Sequence, residues 1–233
     1  VSCLLEYAYD DWCIARMAQE MGKEDIYKKY IERSQNYINV FDGATRFFRG
    51  KRMDGNWESP FNPLAVGRAY TEATAWQYRF FVPHDVNGMI QLFGGKEEFV
   101  AALDDIFNTD AEIHGNLVDI TGLIGQYVHG NEPSHHIAYL YNYVGEPWKT
   151  QKMSRRLLNE MYHPTPEGII GNEDCGQMSA WYILSSMGLY SVCPGSNEYV
   201  LTTPLFEKVV VHLANGRTLT ILANDPQKNI YIT

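Results

Sequence analysis

The sequence predicts a mainly α fold, part of an α/α toroid followed by a short β-rich segment. Three observations predict it. Apolar residues recur at helical spacing in eight separate runs. Several runs share one grammar, a polar or proline start and a glycine stop. Beyond Tyr190 β-branched runs replace the helical ones. The expected division is therefore a helical barrel portion over 1–192 and an incomplete β-rich segment over 193–233.

Each element has its own signal. From about Ser2 to Met21, Leu4, Leu5, Ala8, Trp12, Ala15 and Ala18 fall on one helical stripe. The run from Lys23 to Phe41 repeats the pattern with Ile26, Tyr30 and Tyr37, and Asp42-Gly43 stops it. Residues 42–73 are rich in Gly, Pro, Arg and aromatics and lack a clear period; loops of that length are usually functional. Helical patterns return at 72–82, 84–95, 96–108, 133–145, 146–162 and 175–190. The β runs are 198–204, 207–224 and 229–233, with Asn215-Gly216 as a hairpin turn. Paired helices with long connections on one side suggest inner helices and loops shaping a central pocket. The chain opens on Val1, with neither an initiator Met nor a signal peptide, so a fragment of a longer protein is expected.

Composition narrows the function. A net charge of −9 without a basic cluster argues against a nucleic-acid partner. No apolar run reaches membrane-spanning length. The four cysteines, Cys3, Cys13, Cys175 and Cys193, form no CxxC pair and no zinc spacing, and leave the redox compartment open. The oddity is 16 Tyr, 10 Phe and 5 Trp. Rings beside carboxylates suit a carbohydrate, whose C–H faces stack on them; an aromatic-rich core is the plainer reading.

Two Gly-Asn-Glu turns carry the candidate chemistry. In VHGNEPSHH (128–136), Gly130 and Asn131 permit a sharp turn, Pro133 suits a first helical turn, and Glu132 falls at the cap. Glu132 is then either a capping carboxylate or a pocket acid near His129, His135 and His136. Adjacent histidines diverge on a helix, so they make no zinc site by themselves. In GNEDCGQ (171–177), Glu173 and Gln177 share a helix face; their oxygens are hard donors that suit calcium, or the stretch is a cap with an acidic first turn. Asp174 is a further ligand, base or cap. Glu72, Trp76, Gln77, Tyr78, His84 and Asp85 cluster around a short helix and a Pro-His-Asp turn. Asp10 and Asp11, set inside a helix, should see one member face a pocket or hold an arginine.

The stretches LEYAYDDWCIARMA, YTEATAWQYRFFVPHDVNGMIQLFGG, HGNEPSHHIAYLYNYVGEPWKTQ and PTPEGIIGNEDCGQMSAWYILSSMGLYSVCPGSNEYVLTTPLF closely resemble glycoside hydrolase family 92, in order over nearly the whole chain. The resemblance implies a calcium-dependent, inverting exo-α-mannosidase. It also implies a parent with an N-terminal β-sandwich domain as partner to an (α/α)6 catalytic barrel, of which this chain would be the later part. By position, Glu132 matches the general acid, and glutamate there implies cleavage of ordinary mannosides, commonly α-1,2-linked. Glu173 and Gln177 match positions tied to calcium or nearby substrate. His129, Asn131, Trp76, Asp85 and Asn172 are the implied substrate-binding residues. The family's base, an aspartate pair, has no match here, and Asp174 stands in as fallback. The implied substrate is a mannose-containing oligosaccharide such as an N-glycan, and the implied setting is secreted or periplasmic in a bacterium. Other readings are a metal-free (α/α) glycosidase acting on glucosides or trehalose, a carbohydrate-binding module, and a helical-repeat protein. The last is disfavoured because the helices share no period.

Overall fold

A computed structural model describes residues 1–115 and 120–233. The chain forms two compact units, Val1–Ser134 and His135–Thr233. That division falls elsewhere than the change of pattern near 192, because the last helices and the strands pack together in the second unit.

In the first unit, α1 (Ser2–Glu20) packs against α2 (Glu24–Arg33). Its buried stripe is Leu5, Ala8, Asp11, Ala15 and Ala18. Asp11 is the member of the acidic pair that turns inward, accepting a bond from Arg33 Nε at 3.0 Å. The expected second helix changes winding at Ser34 and continues as a 3-10 helix, Ser34–Val40. The Ser34 hydroxyl donates to the Ile31 carbonyl at 2.8 Å, and its carbonyl lies 2.9 Å from His84 Nε2, so side chains compete for the ladder's groups.

Strands β1 (Phe41–Asp42) and β2 (Phe47–Phe48) form a small hairpin inside the aperiodic stretch. The run 72–82 yields only α3 (Ala75–Tyr78). Every residue from Ala73 to Phe80 is buried, so there is no solvent face to support a longer amphipathic helix. Then come α4 (Val86–Phe93), α5 (Lys96–Asn108) and the hairpin of β3 (Leu123–Ile124) with β4 (Tyr127–Val128). Phe41, Phe80, Phe93 and Phe99 meet at centroid distances of 5.2–5.6 Å and centre this core.

In the second unit the expected helix over 133–145 is instead 3-10, Ile137–Val144. Ile137 to Tyr141 are all buried, and with contact on every side the winding follows packing rather than the α period. Then follow α6 (Pro147–Glu160), with proline at its first turn, and α7 (Gln177–Met187), stopped by Gly188 at φ +85°. A Cβ on Gly188 would sit 2.8 Å from the Thr202 carbonyl oxygen. Strand β5 (Leu189–Tyr190) pairs with β6 (Val200–Leu201). Strand β7 (Lys208–His212) pairs with β8 (Thr218–Leu222) across the Asn215-Gly216 turn. The final run, 229–233, is not a strand. Its carbonyl and N–H groups bond side chains instead: Thr203 Oγ1 donates to Ile230 O at 2.7 Å, and Ile232 N–H to Gln151 Oε1 at 3.1 Å. Tyr139 stacks on Tyr190 at 4.1 Å to anchor this core. The fold is thus mainly helical with small antiparallel strand pairs, and much of the aromatic excess is core.

Candidate functional site

The first acidic turn grows out of the β3–β4 hairpin. Past β4 the ladder continues: His129 N–H donates to Gly122 O at 3.0 Å and Gly130 N–H to Thr121 O at 3.1 Å. A Cβ at position 130 would lie 2.1 Å from Thr121 Oγ1, so the close approach needs glycine. Asn131 Nδ2 then donates to the Glu72 carbonyl at 2.8 Å. Glu132 opens a one-turn 3-10 helix, Glu132–Ser134. Ser134 N–H closes onto Asn131 O at 3.1 Å, while Ser134 Oγ accepts from Val128 N–H at 3.4 Å. The outcome is an exposed carboxyl group on a braced turn, able to hand a proton to a bound molecule. His129 has the opposite setting. It is fully buried, its Nδ1 lies 2.8 Å from the Tyr127 hydroxyl, and the two rings stack at 5.9 Å.

Trp76 and Asp85 belong to the same unit. Thr74 caps α3 in a capping box with Gln77, whose Oε1 accepts from Thr74 N–H at 2.7 Å. This fixes Trp76 in the first turn against Phe47, with the Arg79 guanidinium 5.0 Å from its ring. Trp76 Nε1 is buried and has no hydrogen-bond partner among the described residues, which leaves a donor available to a ligand oxygen. Asp85 caps α4: Oδ1 accepts from Gly88 N–H at 2.9 Å and Oδ2 from the Tyr37 hydroxyl at 2.7 Å. Burial, then the bond to Asp85, pushes the Tyr37 hydroxyl well above the usual tyrosine range. The cap and the Tyr37 hydroxyl thus engage both Asp85 oxygens.

The second acidic turn is in the other unit. Gly171 has φ +76°, and Asp174, Cys175 and Gly176 follow one another in the left-handed region at +53°, +55° and +101°. Two of those three carry a Cβ, a strained conformation that is held in place by its bonds. Glu173 Oε2 accepts from Gly176 N–H at 2.5 Å and Oε1 from Ser179 N–H at 3.2 Å. It therefore caps α7, and the bonds from Ser179 first, then Gly176, hold its carboxyl below the usual range. Gln177 Nε2 lies 3.1 Å from His135 Nδ1, and His135 O accepts from Trp181 Nε1 at 3.1 Å. Asn172, Asp174 and Gln177 are exposed.

Glu173 and Gln177 are hard oxygen donors, but α7 opens only at Gln177 and a left-handed run over 174–176 precedes it, so the two do not share the helix face that their spacing predicts. Calcium takes about 6–8 oxygens. Among the described residues no group of three or more His, Cys, Asp or Glu is placed to hold a metal. The described side chains thus assemble no calcium shell. A cavity of about 690 Å³ in the second unit, lined by Leu189, Leu201, Thr203, Ile221 and Tyr231, contains none of the candidates. All four cysteines are free thiols.

Sequence reasoning left Gln77, Glu72 and Thr121 without a role at the site. The Thr-x-x-Gln spacing of a capping box at 74–77 was a readable signal for Gln77. The bond of Glu72 to the acidic turn joins residues 59 apart in sequence and leaves no local mark, and that of Thr121 extends a hairpin whose register only the fold reveals.

The chain matches the glycosyl hydrolase family 92 catalytic domain over residues 1–233, and it belongs to that family. Two solved relatives are from Bacteroides thetaiotaomicron. The family GH92 α-mannosidase BT3965, in complex with mannoimidazole, is 43% identical with a TM-score of 0.88, over 95% of this chain and 30% of that one. The family GH92 inverting mannosidase BT2199 is 40% identical with a TM-score of 0.83, over 95% and 31%. A protein of Arthroderma benhamiae described as an uncharacterized secreted glycosidase is 31% identical, over all of this chain and 31% of its own length. The chain thus spans about a third of the length of these relatives.

Proposed function

We propose that the protein acts in an exo-α-mannosidase that removes terminal mannose, α-1,2-linked in the preferred substrate, from glycans with inversion of configuration. The observation that carries this reading is the 43% identity to a solved α-mannosidase over 95% of the chain. Glu132, in its protonated form, gives its proton to the glycosidic oxygen as the C1–O bond breaks. Water attacks C1 from the opposite face and loses a proton to a carboxylate base, for which Asp174 is this chain's candidate. β-Mannose leaves. An inverting pair needs carboxyl groups roughly 6.5–9.5 Å apart, leaving room for that water. The Trp76 indole N–H in the first unit and the Asn172 amide in the second are the groups proposed to bind sugar hydroxyls. Asn131, whose amide donates to the Glu72 carbonyl, is proposed to act through the turn that bears Glu132, in place of the direct contact the resemblance implies. His129 and Asp85, which the resemblance implies as substrate-binding residues, are proposed to act indirectly, His129 through Tyr127 and Asp85 through the start of α4.

Bound calcium would supply positive charge and ligate sugar hydroxyls, and Glu173 and Gln177 are the residues of this chain that would hold it. We place the protein outside the cytosol, secreted or periplasmic, with mannose-containing host N-glycans as substrate and an N-terminal β-sandwich domain as its partner. The secreted description of the Arthroderma relative supports that setting, and no helix among the described residues is long and apolar enough to cross a membrane.

Proton NMR of α-1,2-mannobiose with the full-length parent protein tests the reading, since the resemblance implies that this part alone is inactive. The expected result is β-mannose, lost on chelation and restored by calcium. Release of α-mannose would overturn inversion. Activity that persists through chelation would remove the metal, and no hydrolysis with calcium present would overturn the linkage or the sugar.

A further inference from the structure

We infer that Gln77 and Asn131 are positioning residues that aim the Glu132 carboxyl group, an inference that rests on Glu132 being the general acid. The geometry is a two-point clamp within the first unit. At one point Gln77, fully buried, accepts at Oε1 from Thr74 N–H (2.7 Å) and Thr74 Oγ1 (2.9 Å), and donates from Nε2 to the Gln126 carbonyl at 2.7 Å. Gln126 sits in the turn of the β3–β4 hairpin, and its own N–H donates to Ile106 O at 2.7 Å. At the other point Asn131 Nδ2 reaches Glu72 O at 2.8 Å. Glu72 is a non-glycine residue at φ +51°, a conformation that bonds to neighbours must hold in place.

Residues 72–77 therefore grip the hairpin at its turn and again one residue before Glu132. The short 3-10 turn bearing Glu132 packs directly against α3. The same six residues carry Trp76, whose buried indole N–H has no partner among the described residues. One segment thus fixes the proton donor relative to a free hydrogen-bond donor. Neither Gln77 nor Asn131 needs to touch the reacting atoms to matter. A general acid displaced by about 1 Å loses roughly 10²-fold in rate, because the proton must already lie on the line to the leaving oxygen.

The test uses leaving groups. A sugar leaving group needs the acid's proton, whereas a dinitrophenolate leaves without one. We compare Asn131→Ala, Gln77→Met and Glu132→Gln on α-1,2-mannobiose and on 2,4-dinitrophenyl α-mannoside. Glu132→Gln should lose about 10²–10⁴-fold on the disaccharide and little on the activated substrate. Asn131→Ala and Gln77→Met should show the same selective pattern at about tenfold, falling on kcat rather than KM. Equal losses on both substrates would mean a structural role alone and overturn the inference, as would no loss at all. Asn131 lies at the surface side of the turn, so its variant keeps the test decisive if Gln77→Met fails to fold. If Glu132→Gln itself lacks the selective pattern, the acid assignment falls and the inference with it. A selective Glu132→Gln beside non-selective clamp variants would sink the clamp alone.

Discussion

Gly130 and Thr121 are packed so closely that one atom decides the turn. A methyl group at position 130 would meet Thr121 Oγ1 at 2.1 Å, and that hydroxyl is buried with no partner among the described residues. Gly130→Ala should therefore destabilise the protein by about 1–3 kcal/mol, the usual range for overpacking. Thr121→Ala removes the obstructing oxygen and should have little effect alone. The double variant should recover part of the loss, a non-additivity that thermal melts of the four proteins will measure. At this scale the sequence was a good guide to which residues cluster and a poor one to what they do. The sequence left open which of Asp10 and Asp11 faces a pocket or holds an arginine, and Asp11 is the one, bonded to Arg33. Asp85 was readable only as cap or pocket residue, and it took the Tyr37 hydroxyl, 48 positions away, to show both oxygens engaged.

Among the elements, α5 follows its sequence pattern from end to end, because one face is wet and the other buried. The stretch at 72–82 was misread as a longer helix because period-based reasoning needs a wet face and this segment has none. The 3-10 run Ile137–Val144 escaped for the same reason. The α7 terminus makes a prediction of its own. The carboxyl of Glu173 titrates below its ordinary range in the folded chain, through its bonds to Ser179 and Gly176. A depressed acid adds stability that is complete above its unfolded value, about 4.3, and is lost as pH falls through the lower folded value. Glu173→Gln should therefore melt slightly below the parent protein at neutral pH, with the gap closing as pH drops through that window. A gap that persists into stronger acid would show that capping by charge is not its source.

For the whole molecule, the surfaces of each unit matter more than its core. In the first unit Tyr7 and Met17 on α1 and Met21 just past its end are each more than 60% exposed, and in the second Leu222 is 72% exposed. Apolar area of this kind favours association. Light scattering should show the average mass rising with concentration, and salt should not suppress it, since the contacts are apolar. The mainly helical plan with a late β-rich part was legible as two grammars of periodicity. The division at Ser134 was not, because it depends on which elements touch.

The bond between Tyr127 and His129 has a use unconnected with catalysis. Both rings are fully buried, so the proton between the hydroxyl oxygen and Nδ1 is sheltered from exchange with water. Such a proton can give a separate downfield resonance, and this one lies three residues before Glu132. It offers an internal spectroscopic gauge of whether the acidic turn is intact, readable without substrate and before any rate is measured.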